Sequence, residues 1–185
     1  MRTSRSRSSG VTLIELLIVL AIIAVLTTIA TPALGHLKQA ASSRSSRSAL
    51  AVAVNQARIS AALHRKQVVL CPSSDQSSCD HSIRWHHGWL VFLDDDHNNQ
   101  RDGEETIVAL EQAQDDGVAI LSSIGRYRIR FQPDGTADGT NLTLTVCDRR
   151  GTDEARTLVL NNTGRLRSGT PTPAQASAAC AAIGS

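Results

Sequence analysis

The chain has 185 residues, 41% of them hydrophobic but only 3% aromatic, with a formal net charge of +2. That length is enough for one domain with a modest core. Much of the apolar content lies in one block near the N-terminus, so the remainder must have a thin core of the kind that disulfides reinforce. The four cysteines fit that need.

The first ten residues, MRTSRSRSSG, are basic and serine-rich. Without Arg2, Arg5 and Arg7 the 19 basic residues become 16, against 17 acidic ones. Val11 to Ala30 then forms a twenty-residue apolar run with one charge, Glu15. At about 1.5 Å per residue it spans roughly 30 Å, the thickness of a bilayer core. Positive residues precede it, so the leader is expected in the cytoplasm and the rest outside. A carboxylate in such a run is costly and is normally paired and functional. A cleaved secretory signal and a plain membrane anchor are both compatible with the run itself.

The string Gly10-Val11-Thr12-Leu13-Ile14-Glu15, followed by the apolar stretch and Pro32, resembles the N-terminal signal of type IV pilins and pseudopilins. The resemblance implies a prepilin peptidase that cuts after Gly10 and methylation of the new N-terminus at Val11. Val11 departs from the phenylalanine usual at that position. Glu15 then becomes the fifth mature residue, where it can pair with the free amine of Val11 on a neighbouring subunit. Residues 1–10 are accordingly expected to be a leader peptide and 11–66 a long helix. Its part 11–31 is read as transmembrane segment and filament core, and 32–66 as an amphipathic stem.

Leu34, Leu37 and Ala41, then Leu50, Val54, Ala57 and Ala61, recur at helical spacing and carry that stem to about His64–Lys66. No acid occurs from Thr31 to Lys66, whereas Lys38, Arg44, Arg47, Arg58, Arg65 and Lys66 are basic. The expectation is a solvated basic helix face. Short strands follow over Val68–Cys71, Trp89–Leu93, Thr106–Leu110, Val118–Ser122, Tyr127–Phe131, Leu142–Cys147 and Thr157–Leu160. The fold class is α+β. A long N-terminal helix packs on a small antiparallel, sandwich-like head over 67–185, ending in a Pro-rich loop pinned by Cys180.

The cysteines permit three pairings. Cys71 and Cys79 enclose a short polar loop that suits a local bridge, which leaves Cys147 with Cys180. The longer closure is worth about 3 kcal/mol in the entropic account. A zinc site lacks any CxxC pair. In DDDHNNQRDGEE, counting Asp94 as position one places Asp96, Asn98, Gln100, Asp102 and Glu105 at three, five, seven, nine and twelve. That is the oxygen-donor spacing of an EF-hand-type calcium loop, with Asn99 in place of the usual glycine and without flanking helices. An acidic solvated turn is the competing reading. Trp89 is expected in the core. His81, His86, His87 and His97 are expected at the surface, and no nucleophile context suggests an enzyme.

Eight arginines fall between Arg126 and Arg167, against five acids. Arg126, Arg128 and Arg130 alternate, Arg149 and Arg150 sit in a loop, and Arg165 and Arg167 share one side of a strand. Guanidinium forks suit phosphate oxygens, although a solvated strand face is the plainer reading. The CPSSDQSSC loop, GWLVFLDDD and the late GRLR resemble minor pilins of the FimT/GspH group. In FimT-like members the resemblance implies non-specific binding of double-stranded DNA for natural transformation. Gly164, Arg165 and Arg167 would form that site, with Arg149 and Arg150 assisting. GspH-like members imply a structural role instead, priming a pilus or a type II secretion pseudopilus. Either way the expected partners are other pilins, prepilin peptidase and the inner membrane. The head would be periplasmic, and extracellular once assembled.

Overall fold

Alanine and leucine dominate residues 49–63 and favour helix. In the computed structural model, which describes residues 12–137 and 139–184, α1 runs over Leu13–His64. The expected leader and Val11 lie outside the described residues, and with them the peptidase site. At the far end Arg65 adopts φ 55, a left-handed residue just past the last helical position. The stem therefore stops short of Lys66.

The chain divides at Lys38 and Gln39 into two compact units. In the first, Leu13 to Thr28 is helical and every residue is exposed. Among the described residues no helix is long and apolar enough to cross a membrane. The span expected over 11–31 includes positions outside that set.

The second unit begins with the rest of α1. Its buried face comprises Ser43, Ser46, Leu50, Ala53, Val54, Ala57, Ser60 and Ala61, at spacings of three and four. The small side chains there let the strands approach closely. Eight strands form two antiparallel sheets. The first has order β3-β2-β1-β5, from β1 (Gln67–Pro72), β2 (Trp89–Asp94), β3 (Ile107–Glu111) and β5 (Ile129–Phe131). The second has order β4-β6-β7-β8, from β4 (Val118–Ser122), β6 (Leu142–Asp148), β7 (Arg156–Leu160) and β8 (Leu166–Gly169).

All positions of β1 and β2 are buried. On one side they join the main core with Leu50, Val54, Ile120, Ile129, Leu144 and Leu160. On the other, Val69, Cys71, Leu90 and Phe92 form a small cluster against Cys79. Trp85, Trp89, Phe92 and Phe131 are all fully buried, so the few large aromatics are concentrated where their area counts most.

Two disulfides join Cys71 to Cys79 and Cys147 to Cys180. The tail is not the expected loop. Pro173–Ala181 forms α2, packed through Ala176 and Ala179 on Cys147 of β6. Thr172 caps it, accepting from the Gln175 amide while the Gln175 side chain reaches back, with Pro173 at the first helical position. That Thr-Pro-Ala-Gln signature was present in the sequence. His86 also departs from expectation. It is buried, and its Nδ1 lies 3.2 Å from the Ile120 backbone, which gives the ring a structural place.

Candidate functional site

The hairpin that joins β7 to β8 is built around Asn161. Its side-chain oxygen accepts from the Arg165 amide at 2.9 Å and from the Thr163 hydroxyl at 2.8 Å. The Gly164 amide donates to the Asn161 carbonyl at 2.9 Å. Gly164 has φ +74, and a Cβ there would stand 2.6 Å from the Gly135 carbonyl oxygen. Glycine is thus required both for the left-handed turn and for close packing against the 132–136 turn.

Leu166 packs on the core, while Arg165 and Arg167 on either side of it are exposed. Val159 is the register partner of Arg167. Beside the hairpin, α1 contributes Ala51, Asn55 and Arg58 to a groove whose other wall is Leu158 and Gly164 to Ser168. Arg58 Nη1 donates to the Gly164 carbonyl at 3.4 Å. Among the described residues the groove carries three guanidinium groups and no carboxylate. Among the described residues, neither Arg165 nor Arg167 has an acidic partner.

The other arginines lie elsewhere. Arg149 and Arg150 follow β6 and precede β7, at the opposite end of β7 from the 161–165 turn. Arg150 is held by Asp148 at 2.9 Å and by Glu154 at 3.2 Å, so its donors are occupied. Burial pushes the Asp148 carboxyl up, but hydrogen bonds from Arg150 and Ser43 outweigh it and hold the carboxyl below the ordinary range. Donating those side-chain bonds to Asp148 raises Arg150. Arg47 is half-buried beside this cluster, not on a solvated face. Its pKa is lowered by burial and by Arg156, Arg44 and Arg150.

Arg126, Arg128 and Arg130 line one pocket with Asn99 and Thr140. Only Arg130 of the three is in a strand, because β5 is just three residues long. Arg126 donates to the Gly139 carbonyl and Arg128 to that of Asn99, so both brace loops.

Residues 47–164, more than half of the chain, match the family described as type II transport protein GspH. The chain belongs to the GspH family. Its residues 5–31 also match a prokaryotic N-terminal methylation motif. Two crystal structures of the type IV minor pilin FimU from Pseudomonas aeruginosa PAO1 are similar to this GspH-family chain. One has 17% identity and a TM-score of 0.50 over 74% of this chain and 98% of that one. The other has 15% identity and a TM-score of 0.52 over 77% and 95%. At such identities the likeness shows a shared pilin fold. No curated protein matches.

Within the GspH-family head, the acidic loop 94–105 links β2 to β3. Asp94, Asp96 and Glu105 each offer one carboxylate oxygen to a cluster within 4.8 Å. Asp102 and Asn98 lie beside it, joined by the Asn98 side-chain amide at 3.0 Å. Sequence reasoning missed Arg58. It lies more than a hundred residues from Gly164 in the chain, and no local pattern marks it as part of the hairpin site.

Proposed function

We propose that this GspH-family protein is a FimT-like minor type IV pilin. It holds double-stranded DNA through the β7–β8 hairpin for uptake in natural transformation. The observation that carries the reading is the groove with Arg165 and Arg167 exposed, the half-buried Arg58 beside them, and no acid among its described walls. Arg126, Arg128 and Arg150 are instead engaged by internal contacts, Arg150 by Asp148 and Glu154. A pair of unpartnered guanidinium groups flanking one anchored leucine is suited to bridge successive phosphates. Such contact carries no sequence information.

Arg149 is exposed but stands at the far end of β7, so its contribution is a separate, weaker contact. Arg150 is best read as a structural residue. The helix before the head serves assembly. The large apolar side chains from Leu13 to Leu26 are about half exposed or more and require lipid or neighbouring helices to cover them. Residues 1–10 act as the leader, and Glu15 pairs with the Val11 amine of the next subunit.

A second reading follows from the family match itself. A GspH-like pseudopilin would prime a secretion filament, with the same arginines merely solvating the hairpin. Gel-shift titration separates the two. The purified protein should retard duplexes of unrelated sequence with similar affinity. Log–log salt dependence should have a slope near −2 to −3, for two to three phosphate contacts. Arg165→Ala with Arg167→Ala should reduce affinity at least about tenfold and flatten that slope by about two, with an unchanged melting temperature. Retardation by the double variant equal to the parent's would discard the hairpin reading, and a parent that retards no duplex at low salt would leave the pseudopilin one.

A further inference from the structure

Asp94, the last residue of β2, has no solvent exposure. Its Oδ2 accepts from the Gln67 side-chain amide and from the Asn99 backbone amide. Its Oδ1 is buried and has no hydrogen-bond partner among the described residues. An ionised oxygen in that position is strongly disfavoured unless a cation faces it. Yet oxygens of Asp94, Asp96 and Glu105 are gathered within 4.8 Å of one another. Among the described residues no ion pair engages these three carboxylates. Lys66 pairs with Asp95 at 2.8 Å. Arg101 reaches the Ser77 carbonyl at 3.1 Å, and Arg128 bonds the carbonyl of Asn99.

From this we infer that the β2–β3 loop is a divalent-cation site that takes calcium. Oxygens bound to one Ca²⁺ at about 2.4 Å lie no more than about 4.8 Å apart, so the three carboxylates already span a suitable sphere. Glu105 is fixed for the role. The Asp95 amide donates to its Oε1 at 2.8 Å and the Asp102 amide to its Oε2 at 3.0 Å. Asn98 and Asp102, joined to each other beside the cluster, and Gln100 stand at the sequence spacing of further donors. An all-oxygen set with three carboxylates suits a hard cation. A donor set supplied wholly by the loop favours calcium over magnesium, which keeps most of its waters. The site lies on a different loop from the arginine hairpin and stands independently of the DNA reading.

The test uses the full chain in detergent, stripped with a chelator and then melted in calcium chloride, magnesium chloride or neither. Calcium should raise the melting temperature by several degrees, with half-saturation at about 10⁻⁴ to 10⁻³ M, and magnesium should leave it nearly unchanged. Asp94→Asn alters a buried ligand and is liable to misfold. Asp96→Asn at an exposed ligand is therefore the deciding variant. It should melt near the stripped parent's temperature and lose most of the calcium shift, while calorimetric titration shows weakened binding. A calcium shift of equal size in Asp96→Asn would overturn the site. So would a parent that neither shifts nor gives binding heat.

Discussion

At the scale of single residues, Gly164 is the position on which the arginine hairpin depends. Any side chain there would adopt a strained positive φ and push against the Gly135 carbonyl. The Arg58 guanidinium and the Phe131 ring stand only 3.3 Å from the same added carbon. Neither the backbone carbonyl nor the buried ring yields cheaply. Gly164→Ala should cost about 1–3 kcal/mol, read as a lower urea midpoint. It should also weaken DNA retention although both arginines remain, because Asn161 would lose its geometry with Arg165. A variant with parental stability and affinity would show that the turn tolerates an ordinary residue.

At the scale of elements, the packing of α1 on the second sheet is tied by one buried carboxylate. Asp148 closes β6 with no exposure, bonds Ser43 of α1, and takes the Arg150 fork. Its folded pKa lies below the ordinary 3.8. The stabilisation it supplies is therefore complete above about pH 4, and is lost as pH falls through the depressed folded value. Arg150→Ala removes the side-chain bonds that do most to depress the carboxyl, leaving only the residue-150 backbone amide and Ser43 to oppose burial. The acid limb of a stability-against-pH curve should begin at higher pH. Stability at neutral pH should fall by about 1.5–3 kcal/mol, the worth of hydrogen bonds to a charged group. Urea midpoints measured across the acid range decide the matter, and an acid limb unmoved from the parent's would refute it.

Much of this scale was legible in the chain. Leu50, Val54, Ala57 and Ala61 were spaced as a helix face and are buried as one, and strand edges differ by one or two residues. The tail was misjudged because its composition suggested a loop, whereas a capping box and a proline start were enough to nucleate α2 once Cys180 tied it down. The shortness of β5 was not legible, because RYRIRF alternates like a strand while Arg126 and Arg128 are drawn to loop carbonyls. Arg58 in the groove and the orphan oxygen of Asp94 arise only from tertiary placement, which no periodicity encodes.

At the scale of the whole molecule, the head and the exposed apolar helix are made by different physics. The head keeps Trp85, Trp89, Phe92 and Phe131 from water and closes two disulfides. Between Leu13 and Leu26 the helix instead presents large apolar side chains that are about half exposed or more, each worth about 1.5–3 kcal/mol when fully buried. Glu15 is the one charge among them, and its amide is bonded to the Thr12 hydroxyl at 3.3 Å. If that carboxylate sets the register between subunits, Glu15→Ala should leave the head untouched and fail at assembly alone. Far-UV circular dichroism and the melting temperature should match the parent. Recovery of the subunit in sheared filaments should drop about tenfold or more, consistent with losing a pairing of a few kcal/mol in low dielectric. Mass spectrometry of the parent should find the chain beginning at Val11, since the pairing needs a free amine there. Normal recovery of Glu15→Ala in filaments would mean that apolar packing between helices sets the register without an ion pair.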